Sequence, residues 1–367
     1  PRSTLFPYTT LFRSPAGEAS GNLAGIVRPL LSRDDNIASR LNRACFLHAR
    51  RAWAALEAAG YASRRDLGGV LQIARDAAHE EQMRAILATG DYPEDYALFL
   101  DRAEAGRRLG QATAFGAWLF PGGGWANPPS LCRAMLAAGG DRVSLLGGRR
   151  IARLERDESE WRLLDDDGRL VAAAPALILA CGAAARDFAP ELPITPARGQ
   201  VSHVPRGLLP EFHLPACCEG YLTPAVDGIH CLGASYARDM GGELRAAEHV
   251  DNLERLRRIL PGARLDADGL GGRVGFRATT PDRLPLVGAL PDPRTQPPAD
   301  ATLKEIPRLV GAHALLGLGS RGLVWATLAA ELLASRLADD PAPLENDLAD
   351  AIDPARFLLR ARRRGRK

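Results

Sequence analysis

The chain has 367 residues, 46% hydrophobic and 25% charged, with a formal net charge of +3; this is an ordinary globular balance, enough for one large domain or two interleaved ones. No apolar run approaches the ~20 residues that cross a bilayer, and the start carries no signal-peptide pattern, so a cytoplasmic protein with no membrane partner is expected. The modest charge excludes an obligate nucleic-acid binder on charge alone, although the last eight residues, Arg360 to Lys367, hold six Arg or Lys and could meet a phosphate backbone.

The first fourteen residues, with TLFPYTTLFRS at positions 4–14, have no periodicity and no cap. They resemble the translation of a widely used DNA-sequencing adapter, and residues 1–14 are read as an artefact. From Ala16 a Gly-rich and then apolar stretch leads into a helix expected over 35–59, where Ile37, Leu41, Cys45, His48 and Ala52 recur at three- and four-residue spacing. A short strand follows at 69–74, then a helix at 77–88, and 92–119 is mixed. The glycines and prolines of PGGGWANPPS (121–130) predict a loop, which runs into a helix ending at Gly139.

Strands are expected near 149–156 and 161–165, with DDDG (165–168) as a hairpin turn. VAAAPALILACG (171–182) ends in an apolar run closed by glycine, the pattern of a strand buried on both faces of a sheet. Segments 198–204, 221–226 and 229–236 read as strands, 246–260 as a helix, and 291–300 as a Pro-rich loop. Finally HALLGLGSRGLVWATLAAELLASRLAD (313–339) reads as strand, glycine loop and helix. Glycines let a backbone approach a ligand, and a helix N-terminus offers free N–H groups to an anion. No GxGxxG stands near the start, where dinucleotide folds usually begin.

The six cysteines show no CxxC spacing and read as reduced, partly buried thiols. There is no Ser-His-Asp set, no metal-ligand cluster and no P-loop. His203, His230 and His313 lie in or beside strands and read as core or surface histidines rather than catalysts.

Seven segments in chain order carry a resemblance: SGNLAGIVRPLLS, PGGGWANPPSLCRAM, ALILACGAAARDF, ARGQVSH, YLTPAVDGIHCLGASY, VGFRATTPDRLPLVG and GLGSRGLVWATLAAELLAS. Together they resemble the FAD-dependent C-terminal region of the bifunctional tRNA 5-methylaminomethyl-2-thiouridine biosynthesis family, and more broadly the D-amino-acid oxidase and glycine oxidase fold. The resemblance covers 16–358. It implies an α/β fold in which a Rossmann-like FAD-binding domain (16–60, 121–190 and 270–340) is interleaved with a mainly antiparallel α+β substrate domain (61–120 and 191–269), followed by a basic tail (359–367). The family's opening βαβ turn is missing here, which is read as a sequence break near Pro15, and a methyltransferase domain is expected in cis in the intact protein.

For FAD, the resemblance implies contacts from Ser20, Gly21, Asn22 and Gly25, from Ile151 beside the adenine, and from Ala180, Cys181 and Gly182 at a strand end. It also implies contacts from Gly317, Gly319, Ser320, Arg321, Gly322 and Leu323 beside the flavin ring. For the substrate, it implies that Arg277 grips a carboxylate, with Tyr221 assisting and Arg198 as a second basic contact; a bidentate guanidinium suits a planar carboxylate. No metal is implied. The implied reaction is on tRNA: hydride loss from the glycine-like carbon of a carboxymethylaminomethyl group on wobble 2-thiouridine gives an imine, which water splits into glyoxylate and 5-aminomethyl-2-thiouridine. The task left to the protein is positioning. Two other readings stand beside it: a small-molecule amine or amino-acid oxidase, and an inactive truncated fragment.

Overall fold

A computed structural model describes residues 15–295, 298 and 300–364. The adapter-like start, residues 296, 297 and 299 of the Pro-rich loop, and the end of the basic tail lie outside the described residues. Internal contacts divide the chain into two units: Ser144–Ala197 with Arg277–Lys367, and Pro15–Val143 with Arg198–Phe276. Each interrupts the other in sequence. Segment 16–60, expected in the FAD-binding domain, falls in the second and larger unit, as does 121–143.

The larger unit opens with β1 (Gly25–Val27) and the long helix α1 (Ile37–Ala58). The side chain of Asn36 caps α1 by accepting from the Ser39 N–H at 3.2 Å, satisfying one of the free donors of the first turn. Leu41, Cys45, Phe46, Ala49 and Trp53 form its buried stripe. Then come β2 (Arg65–Asp66), β3 (Val70–Ile73), α2 (Ala77–Gly90), β4 (Leu98–Leu100), α3 (Arg102–Leu109) and β5 (Ala117–Phe120). The predicted loop at 121–130 contains a strand, β6 (Gly124–Ala126), which pairs with both β1 and β2. Helix α4 (Pro128–Gly139) starts inside that stretch as well, capped by Asn127 with prolines in its first turn.

The smaller unit begins with a meander of β7 (Arg153–Arg156), β8 (Trp161–Leu164) and β9 (Leu170–Ala174). The DDDG turn joins β8 to β9. Pro175 then separates β9 from β10 (Leu177–Leu179). Strand β10 is not buried on both faces: Leu179 is buried, but Ile178 is 44% exposed. Its only ladder among the described residues is the parallel one described below, so it lies at a sheet edge.

Strand β11 (Thr195–Pro205) carries the chain into the larger unit, where β12 (Ala216–Cys217), β13 (Tyr221–Leu222), β14 (Ile229–Gly233) and α5 (Ala246–Ile259) follow. Strand β15 (Gly271–Thr279) brings it back. The eight-stranded sheet runs β15-β11-β14-β13-β12-β3-β5-β4; from β11 to β4 its pairs are antiparallel except that of β12 with β3. One face of it packs Leu71, Ile73, Leu119, Leu222 and Leu232 with Leu253, Leu256 and Ile259 of α5 into a core. Burying each such side chain contributes roughly 1.5–3 kcal/mol.

The smaller unit ends with β16 (Leu286–Pro291), β17 (Arg308–Leu316), α6 (Gly322–Ala338), α7 (Asn346–Ala351) and α8 (Arg356–Arg364). Here β17 is the middle strand, antiparallel to β16 and parallel to β10. Among the described residues no helix is long and apolar enough to cross a membrane, and no cluster of His, Cys, Asp or Glu could hold a metal ion. All six cysteines are free. His203, His230 and His313 sit in β11, β14 and β17, and burial holds each imidazole below its ordinary pKa.

Candidate functional site

In the smaller unit, parallel pairing fixes where a ligand can be received. Leu177, Ile178 and Leu179 of β10 stand opposite Ala312, His313 and Ala314 of β17. The segments that follow, Ala180–Gly182 and Gly317–Arg321, therefore leave the sheet at the same end, the carboxyl end of the parallel pair. Open α/β sheets bind their ligands at that end. Ala180 and Cys181 are exposed there, and Gly182 is left-handed (φ +60°) with open space where a Cβ would point. Ile151 is half-buried just ahead of β7.

The glycine loop is shaped by its neighbours. Gly317 and Gly319 are both left-handed, at φ +70° and +54°. A Cβ on Gly317 would stand 2.9 Å from the Thr280 methyl group, so glycine is required twice over at this position. The Gly319 N–H donates to the Ala278 carbonyl at 2.9 Å. Ser320 is exposed, and Arg321 is the N-cap of α6 without a side-chain cap hydrogen bond. Gly322 and Leu323 open the helix, so the positive end of a 17-residue helix begins directly after the loop.

Ala278 directly follows Arg277 on β15, so the candidate carboxylate grip is adjacent in sequence to the residues that hold the glycine loop. Thr280 is fixed in turn: its hydroxyl donates to the Leu284 carbonyl at 2.7 Å and to Asp282 Oδ1 at 3.2 Å. Asp282 accepts from Arg356 Nε and Nη2, each at 2.9 Å, and from Arg360. Burial works to raise the Asp282 pKa, but the hydrogen bond and charge of Arg356, then Arg360, outweigh it and bring the carboxyl down to about 2. Arg360, expected in the basic tail, is thus occupied inside its own unit, as is the 4%-exposed Arg356.

In the larger unit, Ser20, Gly21 and Asn22 lie in a loop whose single turn of 3-10 helix spans Ala19–Gly21. Gly25 opens β1. Two side chains grip this loop. Asn127 donates to the Leu23 carbonyl at 2.7 Å while its Oδ1 caps α4 by accepting from Ser130 at 2.8 Å. The guanidinium of Arg273 donates to the carbonyls of Gly17 and Glu18 and to the amide oxygen of Asn22. Tyr221, on β13, packs with Leu23 against the apolar cluster of Ala24, Val201, Val226 and Cys231. The structure therefore brings Tyr221 beside the loop that holds Ser20 to Gly25.

Arg198 departs from expectation. It is 0% exposed, and each of its three guanidinium nitrogens already has a partner within the larger unit. Nε donates to the Gly241 carbonyl at 2.6 Å, Nη2 to the Glu243 carbonyl and Nη1 to the Glu248 carboxylate. A buried arginine saturated in this way is a brace for the 237–248 segment and is not available to a substrate carboxylate.

Arg273, Asn127, Thr280 and Asp282 were not expected from the sequence. Only Arg273 left a signal, since a residue four before Arg277 in a strand lies on the same face.

Residues 12–336 match the FAD dependent oxidoreductase family. The chain belongs to that family. Its cofactor is FAD, and it is an oxidoreductase. It is 47% identical over 356 residues to the tRNA 5-methylaminomethyl-2-thiouridine biosynthesis bifunctional protein MnmC of Azoarcus sp., aligned over 95% of this chain and 55% of that protein. It is 46% identical to the protein of the same name from Burkholderia thailandensis, over 96% and 56% respectively. The chain thus spans about half the length of the curated relatives it matches. Among solved structures it resembles glycine oxidase from Geobacillus kaustophilus, at 20% identity with a TM-score of 0.74, covering 94% of this chain and 90% of that one. It also resembles iminodiacetate oxidase from Chelativorans sp., at 22% identity with a TM-score of 0.70, covering 91% and 89%. The glycine loop and the helix start suit a dinucleotide: left-handed glycines leave room for close approach, and the helix end favours a pyrophosphate or a negatively charged ring system.

Proposed function

We propose that this chain is the oxidative part of a tRNA wobble-uridine modifying enzyme, removing the carboxymethyl group from 5-carboxymethylaminomethyl-2-thiouridine to leave 5-aminomethyl-2-thiouridine. The observation that carries the reading is the identity of 46–47% to two relatives named for this modification. In the smaller unit, Arg277 immediately precedes the Ala278–Thr280 segment that holds the glycine loop. A methyltransferase part in cis, and tRNA as the substrate carrier, belong to the same proposal.

The cofactor would be held by Gly317 to Leu323 and Ala180 to Gly182 in the smaller unit, with Ile151 near the adenine, and by Ser20, Gly21, Asn22 and Gly25 in the larger. FAD supplies the two-electron acceptor. The protein contributes orientation. Arg277 pairs with the substrate carboxylate, fixing the glycine-like carbon, and Tyr221 assists. The resulting imine carbon is then hydrolysed to release glyoxylate.

The test is a single-turnover assay on tRNA bearing the carboxymethylaminomethyl group, with nucleosides analysed by mass spectrometry and glyoxylate counted against uridine converted. One glyoxylate per aminomethyl uridine is the expected result. Flavin reduction by free glycine or sarcosine with no reaction on tRNA would refute the reading in favour of a small-molecule oxidase. Arg277→Lys keeps the charge and loses the fork, and is expected to raise KM roughly tenfold or more, consistent with the loss of one charge-assisted hydrogen bond of about 1.5–3 kcal/mol.

A further inference from the structure

The partners of Arg273 all belong to one loop. Nη2 donates to the Gly17 carbonyl at 2.8 Å and to that of Glu18, and Nη1 reaches Asn22 Oδ1 at 3.4 Å. The guanidinium is half-buried; burial lowers its pKa and the charge of Glu18 raises it, and it remains a cation at any pH the fold survives. The backbone on both sides is cut away to admit it. A Cβ on Gly21 would lie 2.6 Å from Arg273 Cζ, and one on Gly275 would lie 3.2 Å from Nη1 and 3.5 Å from the Ala19 Cα.

Within the loop itself few bonds define its shape. Its 3-10 turn contains one backbone bond, Gly21 N–H to the Glu18 carbonyl at 2.9 Å, and no side chain caps it. Ser20 is exposed, and the turn that contains it also meets helix α4. Asn127 grips only the far end, at Leu23. Gly17, Glu18 and Asn22 thus turn their acceptors onto a cation lying inside the loop.

We propose that Arg273 is a positioning residue, which holds Ser20, Gly21 and Asn22 in the shape that receives the cofactor. This rests on the reading above that the loop meets FAD. It also reassigns Gly21: the glycine there makes room for the arginine.

Two variants test it, in protein expressed from its complete gene and stripped of flavin. Arg273→Ala removes the cation, and Gly21→Ala keeps the cation but displaces it. Each is expected to raise the Kd for FAD by about ten- to a hundredfold, the equivalent of one or two hydrogen bonds to a charged group. Each is also expected to speed amide exchange across residues 17–25 while α1 and β11 keep their wild-type protection. Millimolar guanidinium chloride, too dilute to denature, is expected to restore part of the affinity to Arg273→Ala and none to Gly21→Ala.

An FAD Kd within twofold of wild type in both variants overturns the proposal. So does a loss of affinity that guanidinium does not rescue and that comes with faster exchange throughout α1 and β11, because that is general destabilisation. Should the wild type itself take up no FAD, the functional reading fails separately. Exchange in the cofactor-free loop then still shows whether Arg273 orders it: faster and guanidinium-rescued exchange upholds the ordering, and unchanged exchange overturns it.

Discussion

Replacing Glu248 by alanine separates the two roles that Arg198 could play. Arg198 is 0% exposed and the Glu248 side chain 10% exposed, and their ion pair is supported by the Gly241 and Glu243 carbonyls on one side and the Ser235 hydroxyl on the other. Removing the carboxylate leaves a fully buried guanidinium facing two carbonyls, with only the more distant, solvent-exposed carboxylates of Asp239 and Glu243 as counter-charges. Breaking a buried pair from one side costs about 3–5 kcal/mol. For a protein of this size that corresponds to a fall in Tm of about 4–7 °C. Arg198→Met should cost less, since Arg245 Nη1, at 3.6 Å from Glu248, can take over part of the charge. Calorimetry gives the stability, and turnover below the transition gives KM for the folded protein. The brace predicts a large drop in Tm with KM unchanged within about twofold, a surviving fold being catalytically intact. A Tm within a degree or two of wild type together with a tenfold rise in KM would refute it and return Arg198 to the substrate site.

Three further perturbations follow from the geometry. Asp282→Asn breaks the link from α8 to Thr280. The Asp282 carboxyl lies near 2 in the folded protein against 3.8 unperturbed, which corresponds to about 2 kcal/mol, nearer 1 after solvent screening. Because the folded pKa is the lower one, this stabilisation is complete above about pH 4 and disappears as pH falls through 2; urea titrations at pH 6 and pH 2.5 should show wild type and variant converging at the acid end. Gly317→Ala places a methyl group 2.9 Å from Thr280 Cγ2 at φ +70°, costing roughly 1–2 kcal/mol from the left-handed backbone alone. Adding Thr280→Ser should relieve the contact but not the backbone cost, so partial recovery of Tm and of flavin absorbance is the expected result. Asn127→Ala removes the α4 cap, worth about 1 kcal/mol, and frees the Leu23 carbonyl; FAD titration should show weakened binding with a smaller loss of Tm than Glu248→Ala.

Much of the architecture was legible because it lay in long periodic segments. Helix α1 shows its buried stripe over 22 residues, and α5 and α6 run for 14 and 17. The strand, glycine loop and helix at 313–339 could be read in order because each change of period is marked by glycine. What could not be read was short or non-local. Strands β1, β2 and β6 have three, two and three residues, too few for alternation to register, so the stretch around Gly124 looked like loop. The exposure of β10 depends on how many strands flank it, and an apolar run carries no count of its neighbours.

The charged residues make a sharper case. RGQV and GRVGFR each offer arginines on strands, and nothing local distinguishes one that braces the fold from one that faces a ligand. The difference lies in Glu248, 50 residues after Arg198, and in Gly17, 256 residues before Arg273. The glycines show the same limit from the other side. A glycine in a conspicuous motif reports that something approaches the backbone closely, and the natural reading in a nucleotide-binding fold is that the ligand does. At Gly21 the close neighbour is Arg273, and at Gly317 it is Thr280. In both places the glycine first admits a residue that shapes the loop, and the shaped loop is what can then receive a cofactor. A substitution there should therefore be mimicked by changing the protein neighbour, a coupling that direct cofactor contact alone would not produce. The pairs Gly21–Arg273 and Gly317–Thr280 are the double-mutant cycles in which non-additivity should appear.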